Sequence, residues 1–141
     1  MSVGITFSCF DLFHAGHVAM LKEAHSQCDH MIVCLQTDPT NDRADKNKPI
    51  QSVFERYVQL EGCKYVDEII PYATESEVLD ILLTYHINKR FVGEELLDAN
   101  YKSHHHCDEM LSVSQDALGQ SEETHPKSYD TQLYFFLKNF V

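Results

Sequence analysis

The chain of 141 residues is long enough for one domain with a single core. Its 22 acidic and 11 basic side chains give a formal net charge of −11, which disfavours nucleic-acid binding because such binding depends on cations that neutralise phosphates. No apolar stretch approaches the roughly 20 residues that span a membrane. The N-terminus also lacks the basic start of a signal peptide, so we expect a cytoplasmic protein with no membrane partner.

The first strands and the helix between them are predicted from hydrophobic patterns. Residues 4–10 alternate apolar and smaller polar side chains, which is typical of a strand. From about His17 to Gln27 apolar residues fall three or four apart, which indicates an amphipathic helix. Gly16, near its start, lets a ligand approach the backbone closely. The apolar run of residues 31–35 suits a central parallel strand covered on both faces.

A polar segment and a second helix–strand unit follow. Residues 39–49 have a proline at each end and are predicted to form a mobile loop. Ser52 and Glu55 have capping-box spacing, which predicts a helix that continues to about Glu61. Residues 65–70 form the third predicted strand.

The last periodic unit completes an alternating order. A helix is expected to begin at Ser76 with Glu77 and to end near His86, and residues 90–92 are a fourth short strand. Strands that alternate with helices predict an α/β fold with a doubly wound parallel sheet. In such sheets ligands bind at the C-terminal edge of the strands, where the loop of residues 11–17 lies.

The character of the sequence changes after Glu95. The segment beyond it has no clear period, contains three consecutive histidines at 104–106 and ends in the apolar, aromatic residues 133–141. Three consecutive side chains cannot all face one ion on a regular element, so no metal site is predicted there. We interpret residues 1–95 as the core and residues 96–141 as a divergent segment that packs on or extends the same domain.

The cysteines are odd in number and form no CxxC pair. Cys9 and Cys34 lie in apolar runs, which favours unpaired buried thiols in a reducing compartment over a disulfide framework. Cys9 on its own suits a small core residue. The five cysteines are Cys9, Cys28, Cys34, Cys63 and Cys107.

The strongest chemical signal is His14-Ala-Gly-His17 at a strand-to-helix junction. A helix N-terminus offers N–H donors and the positive end of the helix dipole, which favour a phosphate. Two imidazoles three residues apart can donate hydrogen bonds to oxygens that gain charge in phosphoryl-type transfer. Ordinary histidines at a helix start, or a zinc site that lacks a third ligand at usable spacing, are the alternatives.

The run from Phe10 to His17 resembles the HxGH signature of the cytidylyltransferase-like superfamily of nucleotidyltransferases, and most of all the glycerol-3-phosphate cytidylyltransferases. The resemblance covers residues 3–95. Beyond the motif it rests on Leu21, Ala24, Asp29, Thr37-Asp38, Arg56, Tyr65–Pro71 and Val92–Glu95.

That resemblance implies a Rossmann-like fold and the reaction of CTP with a phosphorylated alcohol, which yields a CDP-alcohol and pyrophosphate. Glycerol 3-phosphate is the favoured acceptor, and a sugar phosphate, choline phosphate or ethanolamine phosphate is the alternative. Mg²⁺ would accompany the nucleotide, with no dedicated metal ligand in the protein. The family and the apolar tail also favour a homodimer.

The resemblance also assigns roles to individual residues. His14 and His17 would contact the triphosphate, Lys46 or Lys48 would reach it as the loop closes, and Arg56 would contact a phosphate. We predict four catalytic residues: His14, His17, Lys46 and Arg56. We predict nucleotide or acceptor contacts from Ser8, Cys9, Phe10, Asp11, Gly16, Asp38, Lys48, Gly93 and Glu94.

Several of these roles have plain alternatives. Asp38 could be a turn residue before Pro39, Arg56 could lie on a solvated helix face, and two lysines are normal in a polar loop. Asp11 could orient either the helix start or the nucleotide.

Two departures from the family pattern matter. Ser8-Cys9 stands where the family has Gly-Thr, and the C-terminal Arg-Thr…Ile-Ser-Thr-Thr segment is not found, since no arginine follows Arg90. The nearest approximation is residues 111–114. Divergence, a replaced tail or a shifted reading frame would each produce this. A nucleotide-binding module with lost or weak turnover is therefore the alternative to an active enzyme.

Overall fold

One parallel sheet of five strands forms the centre of the protein. The computed structural model describes residues 1–93 and 107–113. Within these residues the strand order is β3-β2-β1-β4-β5 and every pairing is parallel, which confirms the predicted α/β fold. The elements are β1 (Val3–Ser8), α1 (Ala15–His25), β2 (His30–Gln36), a 3₁₀ turn (Pro39–Asn41), α2 (Val53–Glu61), β3 (Glu68–Tyr72), α3 (Glu75–Thr84), β4 (Lys89–Gly93) and β5 (Glu109–Val113).

The centre of the sheet is a topological switch point. From β1 the chain proceeds to β2 and β3 on one side, and β4 and β5 lie on the other. β1 pairs with β2 along its whole length, whereas its pairing with β4 covers only Gly4 and Ile5. The loops that leave β1 and β4 therefore diverge above a crevice at the C-terminal edge, which is where open α/β sheets bind ligands.

Two apolar layers cover the sheet. On one face α1 and α2 contribute Leu21 and Leu60 to a core that includes Phe10 and Phe91. On the other face Leu82 of α3 packs in a second cluster. Each of these buried side chains contributes on the order of 1.5–3 kcal/mol by its removal from water.

Gly4 allows β1 to lie close to the helix layer. A Cβ at this position would lie 2.7 Å from both Cys28 Sγ and a ring carbon of Phe91. No real Cβ tolerates such contacts, so the glycine is required by close packing.

The capping box predicted for α2 is confirmed. Ser52 is the N-cap, its hydroxyl accepts the Glu55 N–H at 3.1 Å, and the Glu55 carboxylate accepts the Ser52 N–H at 3.1 Å. The helix ends at Glu61, as expected.

Other boundaries differ from the sequence-based prediction. The third strand was expected at 65–70 but begins at Glu68, because Val66 closes a turn onto Cys63 and Asp67 bonds across to the backbone of Met31. α1 begins at Ala15, earlier than expected, because the His14 side chain serves as its N-cap.

The fifth strand is absent from the sequence-based prediction. Glu109–Val113 pairs with β4 over five residue pairs. Its residues show little alternation of apolar and polar side chains, and Val113 is the only one of the five that is buried. The predictions for residues 104–106 and 133–141 lie outside the described residues.

All five cysteines are unpaired, as predicted. Cys34 is fully buried on β2, and burial, with a smaller effect of the Glu68 carboxylate, raises the pKa of its thiol to about 12. Among the described residues no helix has both the length and the apolar character needed to cross a membrane.

Candidate active site

The loop between β1 and α1, residues 9–14, is termed here the histidine loop. Phe10 and Leu12 both adopt a left-handed backbone with φ of 49°. This conformation costs a residue with a Cβ roughly 1–2 kcal/mol, so other contacts must hold it. Phe10 is 1% exposed, and its ring anchors the loop in the core. The predicted contact of Phe10 with a ligand is therefore one that only its backbone could make.

Two residues that precede α2 bond to this loop. The Asp11 carboxylate accepts the N–H of Ile50 at 2.8 Å and of Gln51 at 3.0 Å. In return, the Gln51 side-chain carbonyl accepts the Leu12 N–H at 2.8 Å. Asp11 is thus placed to orient the loop, which was one of its two predicted roles.

His14 and His17 form a stacked pair at the start of α1. Their ring centroids are 4.0 Å apart with an interplanar angle of 25°. The ring of Phe13 stacks on His17 at 5.6 Å and the edge of Phe10 meets it at 5.5 Å. His17 is 5% exposed, so its rotamer is fixed by aromatic packing.

Backbone hydrogen bonds determine which nitrogen of each imidazole carries the proton. His14 Nδ1 accepts the Gly16 N–H at 3.0 Å, and His17 Nδ1 accepts the His14 N–H at 3.3 Å. A nitrogen that accepts is unprotonated, so each neutral ring carries its hydrogen on Nε2. Both rings are therefore prepared as Nε2–H donors.

This arrangement changes the expected role of the helix terminus. The His14 ring caps the first turn by accepting backbone N–H groups, including that of Gly16. Those N–H groups already donate to an imidazole. A phosphate at this end of the helix would therefore contact the two histidine side chains and would not bond to these N–H groups directly. Gly16 itself is buried.

Arg56 joins the loops that leave β1 and β2. It is 1% exposed, which excludes the alternative of a solvated helix face. Its guanidinium donates four hydrogen bonds of 2.6–3.2 Å to the backbone carbonyls of Cys9, Gln36, Thr37 and Gln51. These bonds give Arg56 a positioning role in the site, and its predicted contact with a phosphate stays a prediction.

The Cys9 thiol follows β1 and is partly buried. Burial raises its pKa, and the guanidinium of Arg56 opposes that rise. The carboxylates of Asp11 and Asp38 raise the pKa further, while the ammonium of Lys46 lowers it. Four predicted site residues therefore influence the charge of this one side chain.

Asp38 follows β2 at the same edge. Its carboxylate accepts the hydroxyl of Thr40 at 2.6 Å and the Thr40 N–H at 3.0 Å, and these bonds lower its pKa. The positive charges of Lys48 and Arg56 contribute in the same direction. Asp38 therefore does cap the turn, as its plain alternative proposed, while it also lies near two cations of the site.

The remaining predicted residues lie at strand ends. Ser8 is the last residue of β1 and Gly93 the last of β4, on the two sides of the crevice. Lys46 and Lys48 are exposed in the segment before Ile50. Glu94 lies outside the described residues.

Sequence reasoning missed the part played by Gln51. A glutamine in a polar stretch gives no signal of its own, and the loop that it holds is 39 positions away in the chain. Its place immediately before a helix N-cap was the available clue, since such a residue faces the preceding loops.

Comparisons with known proteins agree with this geometry. The family described as cytidylyltransferase-like matches residues 5–131 of the chain, so the match extends past Glu95. A solved structure titled a lipopolysaccharide core biosynthesis protein, from Thermoplasma volcanium, aligns with a TM-score of 0.70 at 20% identity. The alignment covers 81% of this chain and 97% of that one, which shows a shared Rossmann-like fold.

Two curated relatives show how this chain compares in length. A probable ethanolamine-phosphate cytidylyltransferase from Encephalitozoon cuniculi is 44% identical over 72 residues, which are 50% of this chain but only 22% of that protein. Glycerol-3-phosphate cytidylyltransferase from Bacillus subtilis is 32% identical over 91 residues, which are 64% of this chain and 70% of that protein. The family match spans most of the sequence and includes the paired histidines, and the chain therefore belongs to the cytidylyltransferase-like family.

Proposed function

We propose that this protein transfers CMP from CTP to a small phosphorylated alcohol and releases pyrophosphate. The observation that carries the proposal is the stacked pair of His14 and His17, each prepared as an Nε2–H donor at the C-terminal edge of a parallel sheet. The family membership and the cytidylyltransferase relatives support the choice of a cytidine nucleotide.

The proposed step needs no protein nucleophile. A phosphate oxygen of the alcohol phosphate attacks the α-phosphorus of CTP, a new P–O bond forms, and the bond to the β-phosphate oxygen breaks as pyrophosphate leaves. Negative charge accumulates on the oxygens of the transferring group, and the Nε2–H donors of His14 and His17 stabilise it. Each such bond to a charged group contributes about 1.5–3 kcal/mol.

Positive charge for the triphosphate comes from a local cluster on an otherwise acidic protein. Lys46 and Lys48 are close enough to alter the pKa values of Cys9 and Asp38 respectively. We assign these lysines to the phosphates of CTP and Asp38 to the acceptor side. Gly93, with Glu94, would lie beside the ribose or base.

Mg²⁺ is part of the proposal. Among the described residues no group of three or more His, Cys, Asp or Glu side chains is placed to hold a metal ion. Mg²⁺ commonly binds through substrate phosphates with one or two carboxylates, and Asp38 fits such a role. The ion would neutralise charge on the triphosphate.

Glycerol 3-phosphate is the proposed acceptor. The support is that the chain covers 70% of the Bacillus glycerol-3-phosphate cytidylyltransferase, whereas it covers 22% of the Encephalitozoon relative. Ethanolamine phosphate is the second candidate, because the 44% identity to that relative is the higher of the two.

The test measures pyrophosphate release from CTP and Mg²⁺ with each alcohol phosphate in turn. We expect release with glycerol 3-phosphate and a roughly 10- to 100-fold lower kcat for His17→Ala, which removes one charge-assisted bond. The exposed His86 provides the matched control, because His86→Ala should leave the rate unchanged.

Two outcomes would contradict the proposal. No release with any alcohol phosphate, together with CTP binding by calorimetry, would favour the binding module with lost turnover. A rate for His17→Ala equal to that of the original protein would remove the histidines from the mechanism. The proposal also includes a cytoplasmic homodimer, and a monomer mass by light scattering at micromolar concentration would contradict that part.

A further inference from the structure

We propose that Gln51 is a positioning residue that holds the histidine loop in the conformation needed for CMP transfer. The inference rests on the proposed function, but its central claim concerns the loop itself. Gln51 does not belong to the family motif, and its role follows from contacts that link it to residues on both sides of the strained backbone.

Three hydrogen bonds form a clasp between residues 11–12 and residues 50–51. Asp11 accepts the two backbone N–H groups of Ile50 and Gln51, and the Gln51 side chain accepts the Leu12 N–H at 2.8 Å. The bonds run in both directions, so neither segment can shift without breaking the clasp.

Gln51 also connects to the other end of the loop. Its backbone carbonyl accepts Arg56 Nε at 3.2 Å, and Arg56 Nη1 donates to the Cys9 carbonyl at 3.0 Å. The loop is therefore held at Cys9 through Arg56 and at Leu12 directly by Gln51, and the left-handed Phe10 lies between these two residues. Backbone conformations of this kind persist where the surroundings over-determine them.

The position of the histidines depends on this backbone. Leu12 is two residues before His14, whose own N–H fixes Nδ1 of His17 at 3.3 Å. If Leu12 relaxes from φ of 49°, the peptides of residues 12–14 rotate, and the His14 N–H that holds His17 Nδ1 shifts with them, so the stacked arrangement of the two rings is disturbed. Because the transition state needs both donors more than the ground state does, this disturbance should appear in kcat.

The clasp also fixes one end of the lysine segment, residues 43–49. Its other end is held at α3, where Asp42 accepts the Glu75 N–H at 2.6 Å and Arg43 pairs with the Glu75 carboxylate at 3.0 Å. These contacts hold the two ends of the segment, and Lys46 and Lys48 lie exposed between them.

The experiment uses Gln51→Met, a variant whose side chain has about the same length but lacks the amide carbonyl that accepts the Leu12 N–H. We expect kcat for pyrophosphate release to fall about tenfold, while KM for CTP changes by less than about twofold. The Leu12 amide should exchange its hydrogen with solvent at least about tenfold faster, because its acceptor is gone. The control is Gln27→Met, a partly buried glutamine at the opposite end of the sheet whose side-chain amide donates to the Glu23 carbonyl at 3.4 Å, and it should change neither quantity.

A second background isolates the strain. Glycine adopts φ of 49° without a Cβ penalty, so in Leu12→Gly protein the Gln51→Met change should lower kcat by less than about threefold. An equal loss in both backgrounds, a change confined to KM, or an unchanged Leu12 exchange rate would overturn the proposal. If the original protein releases no pyrophosphate, the proposed function fails, and the exchange measurement still tests whether Gln51 holds the loop.

Discussion

At the scale of single residues, the buried cation Arg56 holds together the backbone segments that border the site. A guanidinium has a fixed fork of donors, and here it matches carbonyls from the ends of two adjacent strands and from the turn before its own helix. Buried backbone carbonyls need hydrogen-bond donors, and Arg56 supplies a donor to each of these four.

The expected result for Arg56→Lys is a loss of about 2–4 kcal/mol in the free energy of unfolding, measured by urea denaturation. An ammonium keeps the charge but cannot reach four carbonyls at once, and each buried carbonyl without a donor costs about 1–3 kcal/mol. The matched variant is Arg43→Lys, at an exposed pair with Glu75, which should cost under about 1 kcal/mol. If Arg56→Lys unfolds like the original protein but loses turnover, Arg56 contacts a substrate phosphate.

The sequence was informative about the histidines because their chemistry and their spacing are both local. Two imidazoles at a strand-to-helix junction predict a phosphate site, and the structure brings their rings to 4.0 Å. Arg56 could be placed on a helix, but its partners come from three separate segments. Hydrogen bonds between distant segments leave no periodic signal, which is also why the part played by Gln51 was missed.

At the scale of elements, each helix start in the described chain is determined differently. α2 begins at a reciprocal capping box of Ser52 and Glu55, α1 at a reciprocal box made by the two histidines His14 and His17, and α3 at Thr74 with no side-chain cap hydrogen bond. Only the first of these is an ordinary sequence signature, so its boundary was predicted correctly. Because His14 serves as the cap, α1 begins at Ala15, two residues before the start expected from the sequence.

Ser52→Ala should lower the free energy of unfolding by about 1 kcal/mol, because it removes the acceptor of the Glu55 N–H. Thr74→Ala is the comparison at an N-cap without such a bond and should cost less than about 0.5 kcal/mol. Both free energies are measured by chemical denaturation, and the slope against denaturant concentration should be the same for the two variants and the original protein. Equal losses would show that the capping box adds nothing beyond the local preference for a hydroxyl.

Strand boundaries were less predictable than helix boundaries. The expected strand at 65–70 is apolar enough to pair throughout, yet Asp67 uses its carboxylate and N–H to bond Met31 and delays the strand to Glu68. β5 has little alternation of apolar and polar residues, and it forms a strand by pairing with β4. Both outcomes depend on neighbours in space, which a single sequence does not specify.

At the scale of the whole molecule, the formal net charge is −11, yet Lys46 and Arg56 both act on the pKa of Cys9, and Lys48 and Arg56 on that of Asp38. A net negative charge disfavours polyanions such as nucleic acid, whereas these cations would attract the triphosphate of the proposed reaction. The match to the family past Glu95 shows that the likeness continues beyond the residues from which it was first inferred.

Stability of the whole fold should fall in alkaline solution through Cys34. Burial raises the pKa of this thiol from 9.0 to about 12, with a smaller contribution from Glu68 and an opposing one from Arg90. The unfolded chain therefore releases this proton at lower pH than the folded chain does. The stabilisation is fully present below pH 9 and is lost as the pH rises toward 12, at about 1.4 kcal/mol per pH unit.

The measurement is the free energy of unfolding at several pH values between 9.5 and 11, for the original protein and for Cys34→Ala. The variant loses packing at every pH, but its free energy of unfolding should decline less steeply as the pH rises. The slopes of the two proteins should differ by about 1.4 kcal/mol per pH unit, because the variant lacks one titrating group. Val33→Ala is the matched control on the same strand, buried like Cys34 but without a titratable group, and it should lower the whole curve without changing its slope. Parallel curves for all three proteins would mean that the thiolate of Cys34 is no less stable in the folded chain than in the unfolded one.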